Sequence, residues 1–266
     1  MDYIEKAVSK LASIEPIEGR TQRVESLETG IEYRRTKVVP VDQELLNRNR
    51  VLSEQSPSSV VNAYKVLRTR VLQRMEQNNW TTLAVTSPGP NAGKTLTAVN
   101  LSISLARKLE YTVLLVDLDY RRPRVHSTFG FTPKYGLSDY FLRDVSLSDI
   151  MVNPGIERLV VIPERPDARD ISEQLGSTKM SALVDELKTR YPSRLIVFDM
   201  PPVLLGDDVL GFSQIADTTL LVVEEGKTTF DDLKRVSELL SEVNWIGSVL
   251  NKSSWFKETD KYGYGY

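Results

Sequence analysis

The chain has 266 residues, of which 41% are hydrophobic and 26% are charged, and its formal net charge is −2. This composition is typical of a globular protein, and the small net charge gives no indication of nucleic-acid binding. The absence of cysteine excludes a disulfide framework, thiol catalysis and cysteine metal sites. The single histidine, His126, excludes a metal site built from several histidines, and we expect it to have a structural role.

The sequence shows no membrane-spanning or secretory segment. No apolar run approaches the roughly 20 residues that a membrane span needs, and the N-terminus lacks the basic start and apolar core of a signal peptide. We therefore expect a cytoplasmic protein.

The first 57 residues are predicted to form a short helix and a linker. Residues 2–12 place apolar side chains at spacings of three and four, which is typical of a helix. Residues 13–57 mix charges of both signs with few aromatic residues and carry several prolines and glycines. We expect this segment to be largely irregular.

Residues 58–252 are predicted to form an α/β domain. The segment that starts at Ser58 repeats apolar residues at helical spacing. Short apolar runs follow, separated by helix-patterned segments: TLAVTS, TVLLVDLD, RLVVIP, RLIVFDM, TTLLVVEE and IGSVL. Strands that are apolar on both sides predict a doubly wound, mostly parallel sheet with helices on both faces. Residues 253–266 have no periodicity, and we expect a flexible tail.

The sequence VTSPGPNAGKT has the features of a phosphate-binding loop. It lies between the first predicted strand and a helix, and Gly93, Lys94 and Thr95 match the final G-K-[ST] of that motif. Lysine offers a positive charge to the phosphates, and threonine offers a hydroxyl to Mg²⁺. Pro88 replaces the usual first glycine, so a glycine–proline turn that happens to contain lysine is the alternative. The predicted ATP-binding residues of the loop are Gly89, Pro90, Asn91, Ala92, Gly93, Lys94, Thr95 and Leu96.

Aspartates follow two further predicted strands. Asp117 and Asp119 end the run VLLVDLD, and Asp199 ends the run LIVFD. Because the carboxyl ends of parallel strands share one edge of a sheet, we expect these side chains to meet the lysine of the loop. Phosphoryl transfer requires charge neutralisation and a carboxylate that orients the nucleophile. Asp199 is predicted to bind Mg²⁺, Asp117 to accept the proton of an attacking hydroxyl, and Asp119 to share the metal or hold the loop.

Together these motifs resemble those of the bacterial P-loop tyrosine kinases (BY-kinases) of capsule and exopolysaccharide synthesis. The phosphate loop, VLLVDLDYR and IVFDMPP occur in the same order, and the flanking AYKVLRT, YGLSDYF, ADTTLLVVEEGKT and VLNK are also similar. The resemblance covers residues 58–266. It implies a P-loop NTPase fold, ATP and Mg²⁺ as cofactors, and ATP-dependent phosphorylation of protein tyrosines.

The same resemblance implies roles for individual residues. The implied catalytic residues are Lys94, Asp117, Asp119 and Arg121. The implied metal-site residues are Thr95, Asp117 and Asp199. Asn251 stands where related ATPases contact adenine.

The chain ends in KYGYGY, in which glycine separates Tyr262, Tyr264 and Tyr266. The family phosphorylates tyrosines of its own C-terminal cluster between protomers of a ring, which implies that these three are phosphoacceptors. Each phosphate adds about −1.5 to −2 charges, so modification would loosen a ring by repulsion. An aromatic tail without function is the alternative.

The resemblance also implies partners. The family is activated by a membrane protein of the polysaccharide chain-length class, and we expect this activator to be a separate chain that recruits the kinase to the inner face of the membrane. The family's oligomer-forming helix carries E-x-x-R-x-x-R, whereas this chain has Asn62, Lys65 and Arg68 there. The loss of the glutamate and of one arginine weakens the expectation of a ring.

Two other functions stay open from the sequence. One is an ATP-driven switch of the division-site and plasmid-partitioning type, which carries an extra lysine where this chain has Gly89. The other is an adaptor that binds nucleotide without transferring phosphate. Formation of phosphotyrosine distinguishes the kinase from both.

Overall fold

The structure is a computed structural model, and it describes residues 36–167, 171–189, 193–206, 211–212 and 215–254. The chain divides after Glu32 into two units, and all described residues belong to the second, Tyr33–Tyr266. The helix predicted for residues 2–12, the linker up to residue 35 and the tyrosines of the tail lie outside the described residues.

An eight-stranded sheet forms the centre of the domain, in the order β1-β4-β5-β3-β6-β2-β7-β8. Every neighbouring pair is parallel except β4 and β5. The strands are β1 (Lys37–Val38), β2 (Thr82–Thr86), β3 (Thr112–Asp117), β4 (Val152–Asn153), β5 (Leu159–Ile162), β6 (Arg194–Asp199), β7 (Thr218–Glu224) and β8 (Trp245–Asn251). The predicted doubly wound, mostly parallel sheet is confirmed.

Helices cover both faces of the sheet. The helices are α1 (Gln43–Arg48), α2 (Ser58–Asn78), α3 (Lys94–Ala106), α4 (Val125–Phe129), α5 (Leu137–Arg143), α6 (Leu147–Ile150), α7 (Ser172–Leu175), α8 (Thr178–Thr189) and α9 (Phe230–Leu239), with a 3₁₀ turn at Val203–Leu205. The side chains of β2 point alternately to the two faces of the sheet, and both sets are apolar, so both faces are covered by helices. Leu83 and Val85 pack with α1 to α4, whereas Ala84 packs on the opposite side with α5 to α9.

The segment 36–57 differs from the irregular linker predicted for it. It contains β1, which pairs with β4, and α1, whose Leu46 is buried against the core. Leu52 donates its backbone N–H to Asn100 Oδ1 at 2.8 Å, so this segment is fastened to α3. The folded domain therefore begins before residue 58. Elements this short carry no usable periodicity, which is why the sequence pattern did not predict them.

None of the described helices is long and apolar enough to cross a membrane.

Candidate active site

The phosphate-binding loop joins β2 to α3 at the carboxyl edge of the sheet, and the predicted residues 89–96 form the loop and the first turn of α3. Gly93 caps this helix with a φ of 96°, and Asn91 has a φ of 64°. A β-carbon is strained at such a φ, and at position 93 it would also run into the Asn251 side chain. Glycine is therefore favoured at position 93 both by the backbone conformation and by the contact with Asn251.

Lys94 lies buried at the centre of the site. Its Nζ is 2.7 Å from Asp119 Oδ2 and 3.3 Å from Asp199 Oδ1, and it donates to Thr95 Oγ1 at 3.2 Å. Burial alone would lower the pKa of Lys94, but the charges of Asp199 and Asp119 outweigh burial and raise this pKa above its usual value. The ammonium therefore stays charged near neutral pH.

Asp117 has a structural function within the site. It is adjacent in register to Asp199 on β6 and is fully buried. Its Oδ1 accepts the backbone N–H of Asp119 at 3.2 Å, and its Oδ2 accepts those of Arg124 at 3.1 Å and Val125 at 3.0 Å. Burial and then the charge of Asp199 raise the pKa of Asp117 well above its usual value. The sequence pattern did not predict that this carboxylate holds the loop after β3.

Asp199 has an unused oxygen that fits a metal ion. Its Oδ1 contacts Lys94, whereas its buried Oδ2 accepts no hydrogen bond from the part of the chain that the structure describes. Burial raises the pKa of Asp199, with Lys94 opposing the shift. Mg²⁺ takes oxygen ligands and usually keeps several waters. Because the described residues contain no group of three acidic or histidine side chains that could hold a metal, Mg²⁺ here would need phosphate oxygens and water as further ligands.

The basic segment after β3 lies at the rim of the site. Arg121 is exposed, and its Nε donates to the hydroxyl of its neighbour Tyr120 at 2.8 Å. Arg122 donates its backbone N–H to Asp119 Oδ1 at 3.1 Å. Of the three arginines in this segment, only Arg121 was predicted to belong to the site, although Arg122 and Arg124 are the ones whose backbones are hydrogen-bonded to the site carboxylates. The run YRRPR directly after the strand was the available signal.

The end of β8 contacts the loop from the other side. Asn251 Nδ2 donates to Ala92 O at 2.8 Å, so this side chain lies at the nucleotide site but against the loop backbone. Lys252 Nζ donates to Asn91 O at 2.7 Å and is 3.0 Å from Glu224 Oε1. Lys252 was not predicted, and the N-K pair after an apolar strand was the signal for it.

A groove of about 1100 Å³ runs between α2 and β8 and reaches Asn251 and Ser253. A smaller cavity of about 320 Å³ lies beside the start of the loop, between Pro88, Leu204 and Arg235. The smaller cavity is lined by loop residues, whereas the groove reaches Asn251 beside the loop.

The structure brings Lys94, Thr95, Asp117, Asp119 and Asp199 to one sheet edge, and Asn251 to the loop beside them. Arg121 lies at the rim of this group. The three predicted acceptors of the tail, Tyr262, Tyr264 and Tyr266, are outside the described residues.

Comparisons with known proteins agree with this architecture. A family model described as an AAA domain matches residues 81–253. Tyrosine-protein kinase YwqD of Bacillus subtilis (strain 168) is 28% identical over 221 residues, which are 82% of this chain and 92% of that protein. A putative tyrosine-protein kinase in the cps region of Klebsiella pneumoniae is 30% identical over 216 residues, which are 80% of this chain and 29% of that protein. The kinase domain of Escherichia coli tyrosine kinase ETK has a TM-score of 0.66 at 26% identity, covering 86% of this chain and 94% of that chain.

Proposed function

We propose that this chain, which belongs to the AAA domain family and to the bacterial protein-tyrosine kinases, transfers the γ-phosphoryl group of ATP to tyrosines of its own C-terminal tail. The observation that carries the proposal is the buried Lys94 ammonium, which sits between Asp119 and Asp199 directly after the phosphate loop. A charged lysine at the start of a helix, with carboxylates on adjacent strands, suits an ATP–Mg²⁺ complex.

Nucleotide binding is assigned to the loop residues 89–96, where every residue except Pro90 has a backbone N–H that can donate to phosphate at the start of α3. Lys94 exchanges its carboxylate partners for the β- and γ-phosphates when ATP binds. Thr95 and Asp199 would hold Mg²⁺, with Asp117 in the same charge cluster. Bound there, the metal would supply positive charge that neutralises the phosphates. Asn251 donates to Ala92 O and so positions the loop beside the adenine ring of ATP.

The chemical step joins the phenolic oxygen of tyrosine to the γ-phosphorus, breaks the bond from that phosphorus to the bridging oxygen of ADP, and moves the phenolic proton to a carboxylate. We assign the proton acceptor to Asp117. Burial raises the pKa of this carboxyl, which makes its carboxylate a stronger base than an exposed aspartate. Asp119 holds Lys94 in place between turnovers, and Arg121 lies where the tyrosine enters.

The acceptors are assigned to Tyr262, Tyr264 and Tyr266, which are phosphorylated in a neighbouring copy of the chain. A membrane protein of the polysaccharide chain-length class is the proposed activator, and recruitment by it places the kinase at the inner face of the membrane. A relative encoded in a cps region supports a function in polysaccharide synthesis and export.

Intact-mass measurement after incubation with ATP and Mg²⁺ tests the proposal, with Lys94→Ala measured in parallel. We expect additions of phosphate on the C-terminal peptide that are absent in the variant. The variants Asp117→Asn and Asp119→Asn distinguish the proton acceptor from the carboxylate that holds Lys94. The first should abolish transfer with nucleotide still bound, whereas the second should leave measurable transfer. Equal loss of ATP binding in both would overturn the assignment of Asp117 as the base.

The alternative functions correspond to other results of the same experiment. ATP hydrolysis without phosphotyrosine would indicate a switch of the partitioning type, and binding without turnover would indicate an adaptor. If no phosphate is added, the assay is repeated with the cytoplasmic peptide of a candidate chain-length protein. Continued absence of phosphotyrosine would refute the kinase proposal.

A further inference from the structure

Two exposed arginines are attached to the catalytic carboxylates through their backbones. Arg122 donates its backbone N–H to Asp119 Oδ1 at 3.1 Å, and Arg124 donates its own to Asp117 Oδ2 at 3.1 Å. Both side chains are exposed. We call Arg122 and Arg124 the arginine rim. Since the carboxylates are buried, these hydrogen bonds fix the backbone of the rim relative to the site.

Nothing in the described part of the chain neutralises this rim. Other basic side chains of the domain do have acidic partners, such as Lys188 with Asp217 at 2.9 Å and Arg165 with Asp139 at 3.0 Å. Neither Arg122 nor Arg124 forms an ion pair with any described residue. Two exposed arginines without an ion-pair partner among the described residues, on a segment that is hydrogen-bonded to the site carboxylates, suit phosphate, since arginine binds phosphate through paired N–H donors.

We propose that the arginine rim binds phosphotyrosine of the C-terminal tail, so that one phosphorylated tyrosine holds the tail while the next tyrosine reacts. This inference rests on the proposed kinase function and extends it to the order of the reaction. It predicts that phosphorylation accelerates after the first phosphate.

Charge explains why the rim would distinguish the modified tail from the unmodified one. Between Ser254 and Tyr262 the tail carries two basic and two acidic residues, Lys257, Glu258, Asp260 and Lys261. These charges cancel, so the unmodified segment offers the rim little attraction. Each phosphate adds about −1.5 to −2 charges and three strong acceptor oxygens.

The spacing of the tyrosines suits occupation of two neighbouring positions. Tyr262, Tyr264 and Tyr266 lie two positions apart, with one glycine between neighbours. In an extended peptide, residues two apart point to the same side and lie about 6.6 Å apart. A phosphotyrosine on the rim would therefore leave the next tyrosine about 6.6 Å away, on the same side of the peptide. The intervening glycines leave no side chain between the peptide and the protein surface.

Binding of a synthetic peptide tests the rim without any turnover. The full chain, treated with phosphatase, is titrated with a labelled peptide of residues 253–266 that carries phosphate on Tyr264 and Tyr266, and with the unphosphorylated peptide. We expect the phosphopeptide to bind about tenfold more tightly, with a preference that weakens as salt rises. The double variant R122Q/R124Q should lose this preference.

The matched control is Arg107→Gln. Arg107 is also exposed, but it follows the far end of α3, about 20 Å from Lys94 along the helix. It should bind the phosphopeptide as the unmodified chain does. ATP affinity, measured with a fluorescent analogue, should be the same in R122Q/R124Q as in the unmodified chain. Equal binding of the two peptides, or a parallel loss of ATP affinity in R122Q/R124Q, would overturn the proposal.

A time course of intact mass tests the consequence for the reaction. With a functioning rim, singly phosphorylated chains should stay rare relative to multiply phosphorylated ones, and R122Q/R124Q should accumulate the singly phosphorylated form. Equal distributions in both proteins would refute the ordered reaction. If the unmodified chain forms no phosphotyrosine under any condition, the kinase proposal fails, and the peptide titration still decides whether the rim binds phosphotyrosine.

Discussion

The contact between Gly93 and Asn251 gives a prediction that the structure makes quantitative. In Gly93→Ala, the new β-carbon sits at a φ of 96° and displaces the Asn251 side chain. The backbone strain costs about 1–2 kcal/mol. The hydrogen bond from Asn251 Nδ2 to Ala92 O, 2.8 Å long, is lost as well, at about 1 kcal/mol. We expect Gly93→Ala to lower the free energy of unfolding by about 2–3 kcal/mol in total.

A double-mutant cycle isolates the contact. Asn251→Ala alone should cost about 1 kcal/mol, because it removes the hydrogen bond to the loop. In that background Gly93→Ala has no side chain to displace, so only the backbone strain of about 1–2 kcal/mol remains. The two substitutions together should therefore cost about 1 kcal/mol less than their sum, which exceeds the usual error of additivity.

Urea unfolding of the four proteins measures the cycle, and the same variants report ATP affinity. Asn244→Ala is the matched control, since its Nδ2 also donates to a backbone oxygen, that of Asp217 at 3.0 Å. It directly precedes β8, seven residues from Asn251 or about 23 Å away for an extended chain. Gly93→Ala combined with Asn244→Ala should be additive. Additivity with Asn251→Ala as well would refute the placement of Asn251 on the loop.

Three further predictions concern charge and the tail. Burial would raise the pKa of Asp217, but hydrogen bonds from Lys188 and two backbone N–H groups outweigh it and lower this pKa. Asp217→Asn should therefore lower the free energy of unfolding by about 1–2 kcal/mol at pH 7. This difference should shrink as the pH falls below about 4, the ordinary pKa of aspartate, and vanish once the pH is below the lowered pKa of the folded carboxylate. Denaturant titrations across pH measure this, with exposed Asp185→Asn as control, and a difference independent of pH would contradict it. Lys94→Met leaves buried carboxylates without a counter-charge, so their pKa values rise and the folded state retains protons that the unfolded state releases. Its free energy of unfolding should fall relative to that of the unmodified chain as the pH rises from 4 to 8, by about 3 kcal/mol at the upper end, whereas parallel pH curves would argue against the ion-pair cluster. Deletion of residues 262–266 should remove most self-labelling by ATP but leave phosphorylation of an added tyrosine peptide, and full labelling of the truncated chain would show that the acceptors lie elsewhere.

The sequence by itself was sufficient for the features that depend on local pattern. The loop before Lys94 is recognisable because its glycine, lysine and threonine are adjacent in the chain. The strands of the sheet centre are recognisable because burial on both faces requires continuous apolar runs. The convergence of Asp117, Asp119 and Asp199 on one edge then follows from parallel strand direction alone.

Only the tertiary structure decided which atoms of these residues are already in use. Asp117 accepts three backbone hydrogen bonds in addition to the role proposed for it, and Asn251 donates to the loop backbone, and the sequence pattern indicated neither set of partners. Asn251 and Ala92 are 159 positions apart, so no local pattern encodes their contact. β1 and α1 are likewise too short to be seen without the strand and helix that they pack against. Packing across the chain assigns hydrogen-bond partners, and a pattern along the chain does not carry that information.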